Sequence, residues 1–379
     1  VIFASRWTLP VFLHSKMSSY LSFSSVQSNF SFFFGVEQSQ QEDLSDFTTS
    51  AGSLQTEAHG LPEDGRQRES LKKIESPERI CSTSAREIAE ACSVCQLERA
   101  MKIADSLGTD SFSDTRDAVP WLDKLPCRVE RVHRVLEACM PPSSPEWKRF
   151  DLESVEGGCF WRCWDARTGN LKTIISWVAP GSLEKVIAYY RDAAEAEPLW
   201  QGECWGMRCQ HADGISFQRW LQKEYFTART TEVLVERCLC DCLDHSRPCW
   251  VLLERSPDVP NLSDFAGTCG NFEISPCPGG AYRTVMEESG RVLEPLTPDT
   301  VRTTMALSVH VPGLMRWALT DSLLHWGFEK GTKSSTKSWM HIIDNWDSSG
   351  YPRRIQDSKD FYEPVHDRIS SLWKSSLIR

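Results

Sequence analysis

The sequence lacks any long apolar run. No stretch approaches the ~20 consecutive apolar residues that a membrane-spanning helix needs, and the longest candidates, such as Val11–Leu13 and Phe32–Phe34, are short. Positive charge is not in excess either, because 42 Lys and Arg residues stand against 52 Asp and Glu residues, for a formal net charge of -10. An acidic chain repels phosphate backbones, so no nucleic-acid partner is expected. These absences favour a cytoplasmic protein.

Signatures of catalysis and of nucleotide binding are also missing. The chain contains no G-x-S-x-G nucleophile elbow. It contains neither a P-loop nor a strand-linked G-x-G-x-x-G that would cradle phosphates. The sequence therefore predicts no catalytic residue and no cofactor, and it favours a binding protein over an enzyme.

Cysteine is frequent, but its pattern is not that of a disulfide framework. The 15 cysteines are odd in number and irregularly spaced, which favours reduced thiols in a cytosol-like compartment. Cys238, Cys240 and Cys242 place three sulfurs on one face of a predicted strand, with His245 nearby. Structural zinc commonly uses two paired spacings, and the other C-x-x-C, at 92–95, falls on a predicted helix. Ordinary strand packing is the preferred interpretation, so no metal site is predicted.

The first 80 residues are expected to be disordered and dispensable for ligand binding. Residues 1–36 carry Arg6 and Lys16, many serines and no acidic residue. That composition is compatible with an organelle transit peptide, and equally with a fragment or translated leader, since the first residue is Val1. Residues 37–80 are rich in Glu, Gln, Ser and Asp, with too few large apolar residues to offset the entropy of ordering.

Residues 81–145 are predicted to form a helical extension. Apolar residues recur at helical spacing over 85–107, and Gly108 follows as a stop signal. A second helical pattern runs from Pro126 to Met140 and ends at Pro141-Pro142. The two stretches together suggest a helical hairpin or a docking segment.

From Glu146 the pattern changes to short strands separated by turns, over a predicted domain of residues 146–345. A hairpin is predicted from 160–164 and 171–178, and Ser182 is the candidate N-cap of the helix that follows. Strands are predicted over 232–240 and 249–255. Residues 288–290 are interpreted as a hairpin turn between 282–287 and 291–296, and 262–278 as a loop.

The clearest strand is Val301–His310, in which apolar and polar residues alternate with a period of two. A long helix is predicted to begin at Pro312, with Leu314, Trp317, Leu324 and Phe328 near one face. Residues 346–379 are polar, and they are predicted to form a C-terminal tail with one short helix.

The order of hairpin, helix, antiparallel strands and closing helix resembles the START domain, a helix-grip fold. Three stretches carry the resemblance, namely Ile174–Trp200, Thr231–Ser256 and Gly290–Trp317, and the resemblance covers about half the chain. It implies an α+β fold in which a curved antiparallel sheet wraps around a long C-terminal helix, here preceded by helices and a disordered N-terminus.

The resemblance also implies a function. A lipid or sterol would occupy an apolar cavity between the sheet and the closing helix, and transfer between membranes would involve transient contact with a membrane surface. The candidate ligand-binding residues are Trp177, Met305, Leu307, Trp317, Leu324 and Phe328. Any one of these side chains could instead simply fill a close-packed core.

Two alternatives remain open at this stage. The first is a helix-grip cyclase or hydrolase that acts on an apolar substrate. It would require ionisable groups in the interior, and the candidates are Glu236, Arg237, Glu254, Arg255, Asp321 and His325. The second is a non-binding scaffold that uses the helices of residues 85–140 to contact protein partners.

Overall fold

A computed structural model describes residues 83–106, 122–165, 167, 169–193, 195, 204–212, 215–223, 230–259, 261–262, 264–269, 272–277, 281–284, 289–309 and 320–376. The expectations for residues 1–80 therefore lie outside the described residues. Within the described part, no helix is both long enough and apolar enough to cross a membrane.

Within the described residues, three α-helices precede the sheet. They are α1 (Thr83–Ser93), α2 (Leu97–Asp105) and α3 (Leu125–Ala138). The single helix predicted over 85–107 is wrong, because Cys95 adopts a left-handed backbone conformation, with φ of +64°, that interrupts it. Cys95 consequently lies in a turn. Pro126 occupies the first turn of α3, where its missing N–H leaves no hydrogen bond unmade.

The centre of the fold is one large sheet. Its strands are β1 (Lys148–Asp151), β2 (Cys159–Trp164), β3 (Leu171–Pro180), β4 (Cys204–Ala212), β5 (Ile215–Lys223), β6 (Thr230–Cys242), β7 (Cys249–Arg255), β10 (Ala281–Thr284), β11 (Ser289–Thr297) and β12 (Thr300–Val309). A separate hairpin consists of β8 (Gly267–Cys269) and β9 (Phe272–Ile274). The spatial order is β1-β2-β3-β12-β11-β7-β6-β5-β4, and all of these neighbours pair antiparallel.

Two predictions for the middle of the sheet are wrong. Residues 288–290 are not a hairpin turn, since Ser289 and Gly290 belong to β11 and pair with Glu254 and Leu253 of β7. Strand β10 instead pairs in parallel with β6. Gly290 allows α3 to pack closely against β11 and does not form a turn, because a Cβ at Gly290 would lie 2.3 Å from Val135 Cγ2 of α3.

The second wrong prediction is the loop over 262–278. That stretch contains the β8–β9 hairpin.

Four helices complete the described chain. They are α4 (Leu183–Arg191), α5 (Asp321–Asp344), α6 (Tyr351–Asp357) and α7 (Lys359–Ser376). The predicted N-cap of α4 is confirmed, since Ser182 Oγ accepts a hydrogen bond from Lys185 N. Helix α5 begins at Asp321, and the predicted start at Pro312 lies outside the described residues, as does Trp317.

The C-terminal tail has more structure than one short helix. Helices α6 and α7 carry Tyr351, Phe361, Tyr362, Val365 and Ile369 into the main apolar core. Helix α7 packs against α4. The polar composition of residues 346–379 gave no indication of this packing, because the apolar residues of α7 occupy only one face of an otherwise polar and charged helix.

Alternate residues of each strand point to opposite faces of the sheet, and both faces are covered. We call the face that packs on α4 and α5 the inner face, which includes Trp250, Leu252, Leu293 and Met305. The outer face includes Cys240, Val251, Leu253 and Val292, and it packs against the apolar residues of α1, α2 and α3. The sheet is thus held between N-terminal helices outside and the later helices inside, and the closing helix α5 lies along β3. This is the helix-grip architecture that the resemblance to the START domain implied.

Candidate functional site: an ion cluster within the apolar inner face

The described ligand-binding candidates lie together on the inner side. Trp177, Met305, Leu307, Leu324 and Phe328 are all buried, and they belong to one apolar cluster between the sheet and α5. The sixth candidate, Trp317, lies outside the described residues. The structure therefore brings five of the six residues into one region, and their contact with a ligand stays a prediction.

Aromatic side chains hold α5 against the first strands of the sheet. The Phe328 ring lies 4.7 Å from that of Phe160 on β2, and Phe160 stacks on Phe150 of β1, also at 4.7 Å. Farther along the helix, Trp339 Nε1 donates to the Pro180 carbonyl at 2.6 Å, at the end of β3. These contacts fix which face of α5 points inward.

A buried cluster of charges interrupts the apolar inner face. Glu254 of β7 lies between Arg237 of β6 and Arg291 of β11, which flank it on the two neighbouring strands. Arg237 Nε donates to Glu254 Oε1 at 2.6 Å, and Arg291 Nε donates to Oε2 at 3.1 Å. The exposed fractions are 0% for Glu254, 3% for Arg237 and 8% for Arg291. We call these three residues together with Tyr190 the Glu254 cluster.

Tyr190 joins the cluster from the last turn of α4. Its hydroxyl accepts a hydrogen bond from Arg291 Nη1 at 2.9 Å, and its carbonyl accepts one from Arg237 Nη1, also at 2.9 Å. Gln218 Nε2 of β5 donates to the same carbonyl at 2.8 Å. The helix end is thereby tied to three strands at the point where the charges lie.

The arginines control the charge of Glu254. Burial alone would raise the pKa of its carboxyl group, but the guanidinium groups of Arg291 and Arg237 outweigh that effect and hold the pKa below its usual value. The carboxylate therefore stays ionised at neutral pH. With two cations and one anion, the cluster carries a formal charge of +1 in an interior from which water is largely excluded.

Some hydrogen-bonding groups on the inner face have no partner among the described residues. Arg291 Nη2 makes no hydrogen bond within the described part of the chain. Ser289 Oγ, opposite Glu254 in the ladder, and Trp250 Nε1, four residues earlier on β7, are buried without a partner among the described residues. Buried polar groups of native proteins are normally paired, so such groups call for an explanation.

The six ionisable candidates separate into two groups. Arg237 and Glu254 come together on the inner face, as described above. Glu236 and Arg255 pair with each other at 3.3 Å on the opposite face, where Arg255 is 39% exposed.

Asp321 and His325 lie near the other end of the sheet and are not part of the Glu254 cluster. Asp321 forms ion pairs with Lys148 at 3.1 Å and with Arg162. His325 Nε2 lies 3.0 Å from the carbonyl oxygen of Asp151.

Sequence reasoning missed Tyr190 and Arg291. The sequence did contain a signal for Arg291. Arg291 and Leu293 lie on the same face of β11, so a charged residue occupies a position that would be expected to be apolar. Tyr190 gave no such signal, since a tyrosine on the apolar face of a helix is most often a core residue.

Known proteins similar to this chain are found among solved structures. No protein-family model matches the chain, and no curated protein matches it in sequence. Among solved structures, human STARD10 is similar over 63% of this chain and 87% of its own, with 13% identity and a TM-score of 0.42. Human StAR-related lipid transfer protein 5 is similar over 57% and 97%, with 11% identity and a TM-score of 0.39.

A bacterial structure is similar as well. The STAR-related lipid transfer protein fragment from Xanthomonas axonopodis matches 51% of this chain and 99% of its own, with 12% identity and a TM-score of 0.34. The chain is thus similar to START-type structures over about half its length.

Proposed function

We propose that this protein binds an amphipathic lipid or sterol between the inner face of the sheet and α5, and carries it between membranes. The observation that carries the proposal is the Glu254 cluster, a charged group with open hydrogen-bonding capacity that lies beside the apolar residues of the inner face. The apolar part of the ligand would contact the region of Met305, Leu307 and Phe328, and its polar end would reach the cluster.

Energetics favour a binding role for the cluster over a stabilising one. Replacing a buried ion pair with well-packed apolar residues is often neutral or even stabilising, because the desolvation of the charges offsets their attraction. A ligand oxygen could accept a hydrogen bond from Arg291 Nη2, and bonds from guanidinium groups to anionic acceptors are among the stronger ones. The formal charge of +1 favours a ligand whose polar end is anionic or rich in acceptor oxygens.

The same geometry supports a carrier rather than an enzyme. A general base needs a pKa near the operating pH, whereas the two arginines stabilise the ionised form of Glu254 and lower its pKa. Glu236, Arg255, Asp321 and His325 are directed to other partners. The Glu254 cluster is therefore suited to hold a polar group in place.

The exposed side of α5 supports contact with a membrane surface. Trp326 and Met340, which are 59% and 47% exposed, lie on one stripe of the helix, because they are separated by about four turns. Three exposed lysines, Lys330, Lys333 and Lys337, lie between them on the same stripe. A helix face with an apolar residue at each end and basic residues between them is typical of contact with anionic lipid. Each basic residue near the membrane surface contributes about 1 kcal/mol to the binding free energy.

Ligand binding can be tested on the full chain. Native mass spectrometry after purification should show a co-purified lipid, and a fluorescent phospholipid or sterol should bind. Arg291→Met should weaken binding by about tenfold or more, since a hydrogen bond to a charged group contributes about 1.5–3 kcal/mol. Arg302→Met is the matched control, because Arg302 is 43% exposed and pairs with Glu294 away from the cluster. The absence of any bound lipid in both assays would contradict the proposal.

Membrane contact can be tested separately by sedimentation with vesicles of phosphatidylcholine, with and without phosphatidylserine. Binding should require the anionic lipid and should fall as salt is added. Exchanging both Trp326 and Met340 for Ser should weaken binding, whereas Met140→Ser should not, because Met140 is equally exposed but lies beyond the end of α3. Equal binding of both variants would exclude the α5 stripe.

A further inference from the structure

Three metal-ligating side chains converge at the edge of the outer face, away from the Glu254 cluster. They are Glu98 of α2, Cys242 at the end of β6, and His245 in the turn that follows. Their ligand atoms all lie within 4.8 Å of one another. Cys242 is buried, and the other two are partly buried.

Local backbone structure places Cys242 and His245 side by side. They are separated by two residues, and His245 N donates to the Cys242 carbonyl at 3.1 Å, which folds the turn back on the strand. Asp241 Oδ1 accepts from Leu243 N at 2.9 Å within the same turn. A cysteine at a strand end and a histidine three residues later therefore present sulfur and nitrogen to the same point.

The third ligand comes from a distant part of the sequence. The turn between α1 and α2 is tied to β6 by a hydrogen bond of 2.9 Å from Asp241 N to the Cys95 carbonyl. Because of this contact, α2 begins next to Cys242, and Glu98 lies over the turn that follows β6. Both carboxylate oxygens of Glu98 lie 2.9 Å from His245 Nε2, across 147 residues of sequence.

The donor set suits zinc better than the hard cations. Thiolate, imidazole and carboxylate are each ordinary zinc ligands, whereas Ca²⁺ and Mg²⁺ take oxygen ligands. Ligand atoms around a tetrahedral zinc ion lie about 3.3–3.8 Å apart, given metal–ligand distances of about 2.0–2.3 Å. Small side-chain movements from the present arrangement would reach that geometry.

Neighbouring groups would support such a site. His133 Nε2 of α3 lies 2.9 Å from Glu98 Oε1, so it can orient the carboxylate. Cys240 Sγ lies 3.8 Å from Cys242 Sγ, and Cys249 lies directly opposite Cys242 in the β6–β7 ladder.

We propose that Cys242, His245 and Glu98 bind one Zn²⁺ ion, with His133 positioning Glu98 and water completing the coordination. Such an ion would join α2 to the β6–β7 hairpin and so fix the N-terminal helices on the outer face. In the absence of metal, the same residues form a carboxylate–histidine hydrogen-bonded group, and the experiment must distinguish these two states.

The test uses the full chain, purified without a histidine tag and stripped of metal with a chelator. Cobalt(II) is the first probe, because a thiolate ligand gives an intense sulfur-to-cobalt charge-transfer band. The wild-type protein should show this band at one equivalent of cobalt, and Zn²⁺ should abolish it by displacement. Zn²⁺ should also raise the thermal unfolding midpoint, since a ligand that binds the folded state stabilises it.

Variants then assign the ligands. Cys242→Ala should lose the charge-transfer band, while Cys163→Ala, a buried thiol on β2 at the other side of the sheet, should retain it. His245→Gln and Glu98→Gln should weaken Zn²⁺ binding in competition with a chromophoric chelator, and both should remain folded because they retain polar side chains at partly buried positions. His133→Gln should weaken it by about 10–100-fold, as expected of a residue that orients a ligand. His366→Gln is the control, since His366 pairs with Glu184 elsewhere.

Two results would overturn the proposal. The first is a wild-type protein that gives no thiolate–cobalt band and no zinc-dependent rise of its unfolding midpoint. The second is zinc affinity that stays unchanged in both Glu98→Gln and His245→Gln, which would place any bound metal on other residues.

Discussion

The Glu254 cluster allows a sharp test by a single change, Glu254→Gln. The substitution keeps the size of the side chain and one hydrogen-bond acceptor, but it removes the negative charge that Arg237 and Arg291 share. Both guanidinium groups lie in the interior, at 3% and 8% exposure. Removing one partner of a buried ion pair leaves an uncompensated buried charge, at a cost of about 3–5 kcal/mol. The free energy of unfolding should fall by that amount.

A matched control is present on the same two strands. Glu236 pairs with Arg255 directly beside the Arg237–Glu254 pair in the β6–β7 ladder, but on the opposite face and with Arg255 39% exposed. Exposed ion pairs contribute about 0–1 kcal/mol, because water screens them. Urea unfolding followed by tryptophan fluorescence should therefore show a large loss for Glu254→Gln and a small one for Glu236→Gln. Equal losses would refute the argument that burial sets the cost.

The pH dependence of the same variant provides a second check. The folded-state pKa of Glu254 is depressed below its ordinary value of 4.5. A depressed carboxylate pKa contributes stability that is fully present above the ordinary value and is lost as pH falls through the folded-state pKa. The difference in unfolding free energy between wild type and Glu254→Gln should consequently be full at neutral pH and shrink as the solution is acidified below the ordinary value. A difference that grows on acidification would show that the sign is wrong.

Two further predictions test the packing on each face of the sheet. Gly290→Ala should lower the free energy of unfolding by about 1–3 kcal/mol, because its new methyl group would lie 2.3 Å from Val135 Cγ2. Adding Val135→Ala should relieve the clash. Gly327→Ala in α5 is the control, because there is open space around Gly327. Phe328→Ala should cost about 3–5 kcal/mol if the 2%-exposed ring is packed only by protein. A smaller cost together with weaker binding of a fluorescent lipid would show that the ring contacts the ligand. Met140→Ala, at 52% exposure and beyond the end of α3, should leave both quantities nearly unchanged.

The elements that sequence reasoning predicted well are those with a strong local pattern. The β12 strand alternates cleanly, and its inward residues Val301, Met305 and Leu307 are buried as expected. The N-cap at Ser182 and the closing helix also depend on short-range signals. Because a period of two fixes which side chains share a face, the inner face of β12 could be assigned without knowing its neighbours.

The errors arise where distant parts of the chain decide the local structure. Ser289-Gly290 has the composition of a turn, but the glycine accommodates Val135 of a helix 155 positions earlier, so it lies in a strand. Arg237 and Glu254 could be proposed as a pair from the β-hairpin, whereas Tyr190 and Arg291, 101 residues apart, meet only through the fold. Glu98 and His245 are likewise brought together across 147 residues. A single sequence carries no local signal for such contacts.

A comparison of two buried clusters shows why only one of them is a candidate binding site. Glu232 also lies between two arginines, Arg219 and Arg283, and it is fully buried.

Arg283, however, donates to Glu232 and also to three backbone carbonyls, those of Leu262, Phe265 and Ser275, so its hydrogen-bonding capacity is used by the protein itself. That cluster holds the β8–β9 segment on the outer face, and the protein itself supplies the acceptors that Arg283 needs. Arg291 donates only to Glu254 and Tyr190 within the described part of the chain, so its Nη2 can still donate to a further acceptor. Hydrogen bonds from guanidinium groups to anionic acceptors are among the stronger ones, so a ligand oxygen that accepts from Nη2 would gain an interaction that Arg283 of the Glu232 cluster, already bonded to four acceptors, does not offer.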